Sequence, residues 1–322
     1  TEKQPANVKA GQPYRITELE LASRLSFFLW NSIPDNELLS LAEKGQLTTP
    51  ATLDKQVKRM LADPRAKKAL VESFASQWLN LRQVVDVVID PNKYPLYDES
   101  LLRGFQAETE MFVASTIEDD APLRQLLDAD YTFVNERLAT HYGLDGVNGS
   151  RFRRVKLPNH NQRGGLLAQG TILVTTSYPD RTSPVLRGKW LLNNVFGLAV
   201  PAPPPGVNAT LEAPPGKIPP GIRERLAQHR TSPTCNGCHS VIDPLGFALE
   251  NFDATGRYRT KELGGQIDTA GQLADGTQMD QPRPTRVARP RSSPSPWTPP
   301  PPAPLRPPSR RPVTPASARP TG

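Results

Sequence analysis

The residues best suited to chemistry lie together in one short run, Cys-Asn-Gly-Cys-His, at 235–239. Cys235 and Cys238 are the only two cysteines among 322 residues, and His239 is one of four histidines. Two thiols at this spacing can add across the two vinyl groups of a porphyrin, and the next residue can then ligate the iron. The run therefore predicts one covalent haem c, with Cys235 and Cys238 as tethers and His239 as the proximal axial ligand.

Three other uses of a cysteine pair fit this sequence less well. A structural zinc ion needs about four ligands, whereas the chain offers two thiols and a histidine too close to Cys238 for easy chelation. A thioredoxin-like dithiol needs a helix N-terminus after a buried strand, and the segment before Cys235 instead has the pattern of a charged helix. A disulfide across so short a loop would constrain little.

The sixth iron ligand has several candidates. His229 lies six residues before Cys235, and its alternative interpretation is a solvated histidine at a helix end. Met279 lies 40 residues after His239. An axial methionine would raise the reduction potential. His141 and His160 could reach the iron from elsewhere in the fold, although each is more typical of a packing or surface histidine.

The residues after the cysteine run predict one wall of a haem pocket. Asp243 to Phe247 have the composition of a tight turn with apolar cover, so Pro244, Leu245 and Phe247 are candidate pocket residues. A backbone carbonyl near Pro244 is the expected acceptor for the ring N–H of His239. That hydrogen bond would fix the tautomer of the imidazole.

The region that precedes this run is predicted to contain a helical domain over residues 14–145. Thr17 and Glu20 have capping-box spacing, so a first helix should run to about Trp30. It carries apolar residues at helical intervals, namely Leu21, Leu25, Phe28 and Leu29. Further helix starts are expected at Asp35, at Thr49-Pro50, at Asp63-Pro64 and at Asp98. The last two helices are expected to carry Leu70, Phe74, Trp78 and Leu81 on one stripe, and Leu101, Leu102, Phe105, Phe112 and Val113 on another. A short helix over 135–142 should end at Gly143.

The middle of the chain is less regular, and we divide it into a connecting region over 146–200 and a proline-rich spacer over 201–218. In the connecting region, Ile172 to Thr176 are rich in β-branched residues and indicate a short strand, although a single run of this length makes no sheet. Ser183 and Pro184 should open a helix that Gly197 ends. Beyond the spacer, residues 219–280 would form a small haem domain, with a helix over 221–230.

The net charge of +7 comes from the C-terminal tail. Residues 281–322 contain eight arginines, no acidic residue and 15 of the 36 prolines, which leaves 31 basic against 32 acidic side chains elsewhere. This composition predicts a disordered tail. The abrupt change in composition at residue 281 suggests that this segment is translated from a shifted reading frame. The alternative is a genuine basic, proline-rich tail. We expect no nucleic-acid partner, because the excess positive charge lies in this tail alone, and no membrane span, because no apolar run is long enough.

Several segments resemble the large multi-domain envelope cytochromes named from planctomycetes. The resemblance to their cytochrome c domain is carried by residues 181–190, 223–230, 235–239 and 242–253. The residues before it are similar to the uncharacterised helical domain of that family, at 25–30 and 130–139. The resemblance covers about 14–280, and residues 275–280 look like the truncated start of the C-terminal domain of the family. Because members are usually longer at the N-terminus, the chain looks like a fragment.

The resemblance implies export to the periplasm or cell envelope, where haem c is attached, and a redox partner protein that it does not name. The expected protein is mainly α-helical, with the helical domain followed by a cytochrome c-like haem domain. Its expected function is haem binding and single-electron transfer. Two alternatives remain open, a haem c-dependent peroxidase or oxygenase whose helical domain holds the substrate, and an envelope binding module with structural haem.

Overall fold

A computed structural model describes residues 8–9, 12–158, 162–202 and 221–272, together with the backbone of 278–279. The described chain is mainly α-helical, which confirms the predicted fold class. The tail over 281–322, His160 and all of the spacer beyond residue 202 lie outside the described residues. Among the described helices, none combines the length and apolar composition that crossing a bilayer requires.

The N-terminal helices begin where the capping signals predict. They are α1 (Glu18–Trp30), α2 (Asn36–Glu43), α3 (Pro50–Ala62) and α4 (Pro64–Lys68). Thr17 and Glu20 form the expected capping box. The buried face of α1 carries Ala22, Ser26 and Trp30, whereas Phe28 is 83% exposed. Trp30 anchors this group, with its indole N–H donating to the Met60 carbonyl at 2.9 Å.

The fourth predicted helix is wrong as a single regular helix. After α4 the chain forms a π-helix (Ala69–Ala75), a short α5 (Ser76–Trp78) and a 3₁₀ turn (Leu81–Asp86). The wider π turn shifts the phase of the apolar stripe, so Phe74 is 58% exposed while Leu81 is buried. Asn80, with φ of 57°, breaks the helix before Leu81.

The next elements surround the longest helix, α6 (Glu99–Glu118), which Asp98 caps as predicted. They are α7 (Gln125–Asp128), β1 (Tyr131–Val134), α8 (Glu136–Tyr142) and β2 (Arg153–Lys156). β1 and β2 pair antiparallel, with Tyr131 opposite Lys156. Asn135 caps α8 and Gly143 ends it in the left-handed conformation, which confirms the predicted short helix.

The strand predicted at Ile172 to Thr176 is wrong, because Ile172 to Thr175 belong to α9 (Gly170–Thr175) and Thr176 is its C-cap. This helix follows a 3₁₀ turn (Leu166–Ala168). Ile172, Leu173 and Val174 are all buried, so apolar surroundings on every side outweigh the β propensity of the sequence. The hydroxyl of Thr176 donates to the Ile172 carbonyl at 2.6 Å, as helix threonines do.

The predicted helix at Ser183 and Pro184 is confirmed as α10 (Pro184–Trp190), which continues as a π-helix (Leu191–Val195). Ser183 is its N-cap. Two short strands, β3 (Ser177–Tyr178) and β4 (Arg181–Thr182), form a hairpin just before it.

The helix predicted over 221–230 is confirmed as α11 (Ile222–His229), and the cysteine run lies on a second helix that the sequence analysis did not predict. This helix, α12 (Pro233–Phe247), passes through Pro244, so the tight turn predicted at 243–247 is wrong. Burial of Ile242, Leu245 and Phe247 stabilises this helix beyond the proline. Two hairpins follow, β5 (Lys261–Glu262) with β6 (Gly265–Gln266) and β7 (Gly271–Gln272) with β8 (Gln278–Met279).

The main hydrophobic cluster joins α12 to the preceding helices. Ile242 and Leu245 pack in it with Trp190, Leu191 and Phe112. The backbones of α10 and α12 touch at two glycines, since a Cβ on Gly188 would lie 2.0 Å from the Ile242 carbonyl oxygen and one on Gly246 would lie 1.8 Å from that of Pro184. The α12 helix is therefore held on the body by backbone contact.

Candidate functional site

The two cysteines lie in the first turns of α12, which Ser232 and Pro233 begin. Both are free thiols, Cys235 half-buried and Cys238 exposed. Residues three and four apart share one face of a helix. Cys235, Cys238 and His239 therefore lie on the same side of α12, and the helix itself brings together the three residues that the sequence predicted to act together.

The helical setting corrects one step in the sequence argument against a dithiol. The cysteine pair does lie at a helix N-terminus, although α11 rather than a buried strand precedes it. For the metal alternative, the described ranges contain no group of three or more His, Cys, Asp or Glu residues arranged to hold a metal ion.

His239 is oriented by a carboxylate from its own helix. Its Nδ1 donates to Oδ1 of Asp243 at 2.8 Å, and Asp243 is fully buried. The acceptor predicted at a backbone carbonyl near Pro244 is therefore wrong. Because α12 continues without a turn, the residue four positions after His239 comes beneath its ring.

Arg230, the residue that ends α11, lies beside the same carboxylate. Its Nε is 3.8 Å from Oδ2 of Asp243, and its side chain is 27% exposed. A positive charge at this distance offsets part of the cost of burying the carboxylate. Arg230 thereby links the end of α11 to the middle of α12.

His229 lies against His239 instead of standing in solvent. The two ring centroids are 4.8 Å apart with the planes nearly perpendicular. Burial lowers the pKa of His229, and the neighbouring charge of His239 lowers it further. Imidazoles on opposite sides of one metal ion have ring centroids about 6 Å apart, because each metal–nitrogen bond is about 2 Å and each centroid lies about 1 Å beyond its nitrogen. His229 would have to move outward by roughly 1–2 Å to become the sixth ligand.

Of the other sixth-ligand candidates, His141 alone has a side chain within the described residues. His141 is buried in the body, where its Nε2 lies 2.8 Å from the Thr255 carbonyl and its ring packs on Phe105. Met279 belongs to β8, and its side chain lies outside the described residues, as does all of His160. The role of Met279 as a distal ligand stays a prediction.

The three predicted pocket residues are buried along the second half of α12. Leu245 packs in the main cluster, and the guanidinium of Arg223 lies 3.9 Å from the centre of the Phe247 ring. Pro244 lies against the backbone of Gly271. All three support α12, and their contact with a haem stays a prediction.

The residues of this site fit a covalently attached haem on the chemistry of their donor atoms. Both thiols are unbonded, and Asp243 engages Nδ1 of His239, which leaves Nε2 as the nitrogen that can ligate. Sequence reasoning missed Asp243 as the partner of His239. The signal was present in the four-residue spacing, and the expected turn at Pro244 concealed it.

Two family models match the chain. Residues 16–144 match the model named PSD4, and residues 163–262 match the model named PSCyt3, which are described as proteins of unknown function (DUF1592 and DUF1588, respectively). The second match includes the cysteine run and begins upstream of α10. No curated protein and no solved structure matches the chain.

Proposed function

We propose that this chain is the haem-bearing part of an exported c-type cytochrome, which binds one haem covalently and transfers single electrons to a redox partner protein. The observation that carries the proposal is the placement of Cys235, Cys238 and His239 on one side of α12, with Nδ1 of His239 held by Asp243. This is the donor set that haem c attachment needs.

The family matches support the proposal at a coarser level. Their names, PSD4 and PSCyt3, agree with the resemblance to planctomycete multi-domain cytochromes, while both domains are described as uncharacterised. Haem c is attached outside the cytoplasmic membrane in that family, so we propose a periplasmic or envelope location.

Each residue of the site has a definite task in this proposal. The thiols of Cys235 and Cys238 form the tethers, and Nε2 of His239 binds the metal. The contacts of Gly188 and Gly246 hold α12 against α10, so the ligand has a fixed position relative to the body. A bound haem supplies the one-electron chemistry, and the protein supplies orientation, ligation and a low-dielectric support.

The decisive experiment is expression of the chain, with an export signal, in cells that contain haem c maturation machinery. We expect the purified protein to keep its haem after denaturation, with a mass increase of one haem. A Cys235→Ser/Cys238→Ser variant should lose the covalent haem, whereas Asn236→Ala, which keeps both thiols and the imidazole, should retain it. A wild-type chain without covalent haem would overturn the proposal.

The visible spectrum of the same material separates electron transfer from catalysis. A spectrum of six-coordinate, low-spin iron that does not change when cyanide is added would support an electron carrier. High-spin iron that binds cyanide or reacts with peroxide would instead support a haem peroxidase or oxygenase. A spectral change in His229→Ala would identify His229 as the sixth ligand, and an unchanged spectrum would remove it from the candidates.

A further inference from the structure

We infer that Asp243 is a positioning residue, which presents Nε2 of His239 to the metal and shifts the reduction equilibrium of the centre toward the oxidised state. The part of this inference that concerns the metal and its reduction equilibrium rests on the proposed function. The choice of tautomer on His239 is a property of the chain before any haem is attached.

The contact between the two side chains is set by the helix. His239 and Asp243 are four residues apart on α12, and Nδ1 lies 2.8 Å from Oδ1. The His239 side chain is 17% exposed, whereas that of Asp243 is 0% exposed. The imidazole therefore lies at the surface with its inner nitrogen bonded to a carboxylate that solvent does not reach.

The carboxylate cannot easily turn away from His239. Its neighbours in sequence, Ile242 and Pro244, are buried. The Ile242 carbonyl lies at the close backbone contact with Gly188, and Pro244 lies against Gly271. Both flanking residues are thus fixed by packing, and Arg230 lies 3.8 Å from the second oxygen of Asp243. The acceptor is held in place by the tertiary structure.

A neutral imidazole has one N–H, and its position decides which nitrogen can bind a metal. The bond to Asp243 places the proton on Nδ1 and leaves the lone pair on Nε2. A carboxylate is also a stronger acceptor than the backbone carbonyl expected from the sequence, because hydrogen bonds to charged groups are stronger. It draws the proton away from the ring and makes Nε2 a better donor to oxidised iron.

The first test uses the apoprotein and ¹⁵N NMR of the histidine side chains at a pH where His239 is neutral. We expect the wild-type ring to carry its proton on Nδ1, and we expect Asp243→Ala to return it to the Nε2–H form that free imidazole side chains favour. Asp268→Ala is the matched control, since Asp268 is an exposed acid that pairs with Arg223. It should leave the tautomer of His239 unchanged.

The second test measures the reduction potential of the haem-loaded protein. In Asp243→Asn we expect the equilibrium to shift at least tenfold toward the reduced form, which is 59 mV for a one-electron couple. Asp268→Asn removes the same charge and should change it far less.

The outcomes of the two tests are separable. A wild-type apoprotein with the proton on Nε2 would overturn the inference even if the Asp243 variants do not fold. Equal potentials in Asp243→Asn and Asp268→Asn would overturn the electronic part. Failure of the wild type to bind haem would sink the proposed function, while the NMR result would still decide the role of Asp243.

Discussion

Replacement of Gly188 by alanine should separate α12 from the body. The new Cβ would lie 2.0 Å from the Ile242 carbonyl oxygen, whereas real Cβ atoms keep at least 3.0 Å from such a neighbour. The two helices would have to move apart by about 1 Å, and overpacking against backbone falls at the upper end of the usual range, about 3 kcal/mol. This loss exceeds the gain of up to about 1 kcal/mol from higher helix propensity.

The matched control is Gly237→Ala on α12 itself, where an added Cβ would meet nothing within 4 Å. We expect this variant to be as stable as wild type or slightly more stable. Urea denaturation of the apoproteins, followed by circular dichroism, should separate the two variants by about 3 kcal/mol, because the propensity gain is common to both. The net loss of Gly188→Ala relative to wild type is about 2 kcal/mol, so its thermal midpoint should fall by about 4 °C or more.

Gly246→Ala tests the same contact from the other helix, because its Cβ would lie 1.8 Å from the Pro184 carbonyl oxygen. Once one alanine has moved the helices apart, the second costs less, so the double variant should be less destabilised than the sum of the singles. If Gly188→Ala matches Gly237→Ala in stability, or if the two glycine costs add fully, the close backbone contact is not what holds α12.

Three further predictions concern buried polar groups of the body. Burial lowers the pKa of His141 from 6.5 to about 4, so between these pH values the unfolded chain binds more protons than the folded chain. Lowering the pH from 7 to 4 should therefore reduce the free energy of unfolding of the wild type by about 3 kcal/mol. Urea denaturation between pH 7 and pH 4 should show that His141→Gln lacks this loss. Glu108 is buried and accepts hydrogen bonds from a tyrosine and a threonine hydroxyl. Glu108→Ala should therefore lose about 2–5 kcal/mol of unfolding free energy, and Glu108→Gln clearly less. Equal losses in the two variants would argue against a role for these hydrogen bonds in stability. Arg187 is fully buried, 3.0 Å from Glu250, so Arg187→Met should lose about 3–5 kcal/mol of unfolding free energy. Arg181→Met, at a half-exposed ion pair, should lose under about 1 kcal/mol. Similar losses in both variants would show that burial does not set the contribution of these ion pairs.

The features that the sequence predicts correctly are local ones. Three examples are the capping box of Thr17 and Glu20, the cap of α6 at Asp98 and the end of α8 at Gly143. In each of them the interacting groups lie within a few residues of one another in the sequence. Such signals depend on side-chain and backbone atoms that the chain itself brings together. They are therefore readable before the fold is known.

Two of the wrong predictions fall where burial outweighs a local preference. Ile172 to Thr175 form a helix because neighbouring elements bury most of these residues, although their composition favours a strand. Pro244 sits inside α12, although a proline usually ends a helix. A third has a different cause, because the π-helix at Ala69–Ala75 shifts the phase of the expected stripe and leaves Phe74 exposed.

The candidate site divides in the same way. The sequence by itself determined which residues would tether and ligate a haem in the proposed function, because that chemistry needs two thiols and an imidazole at a fixed spacing in one short segment. The tertiary structure decided that His239 is paired with Asp243 and packed beside His229. The first contact depends on α12 staying helical through Pro244, which packing against segments distant in sequence stabilises, and the second depends on α11 lying against the helix that follows it.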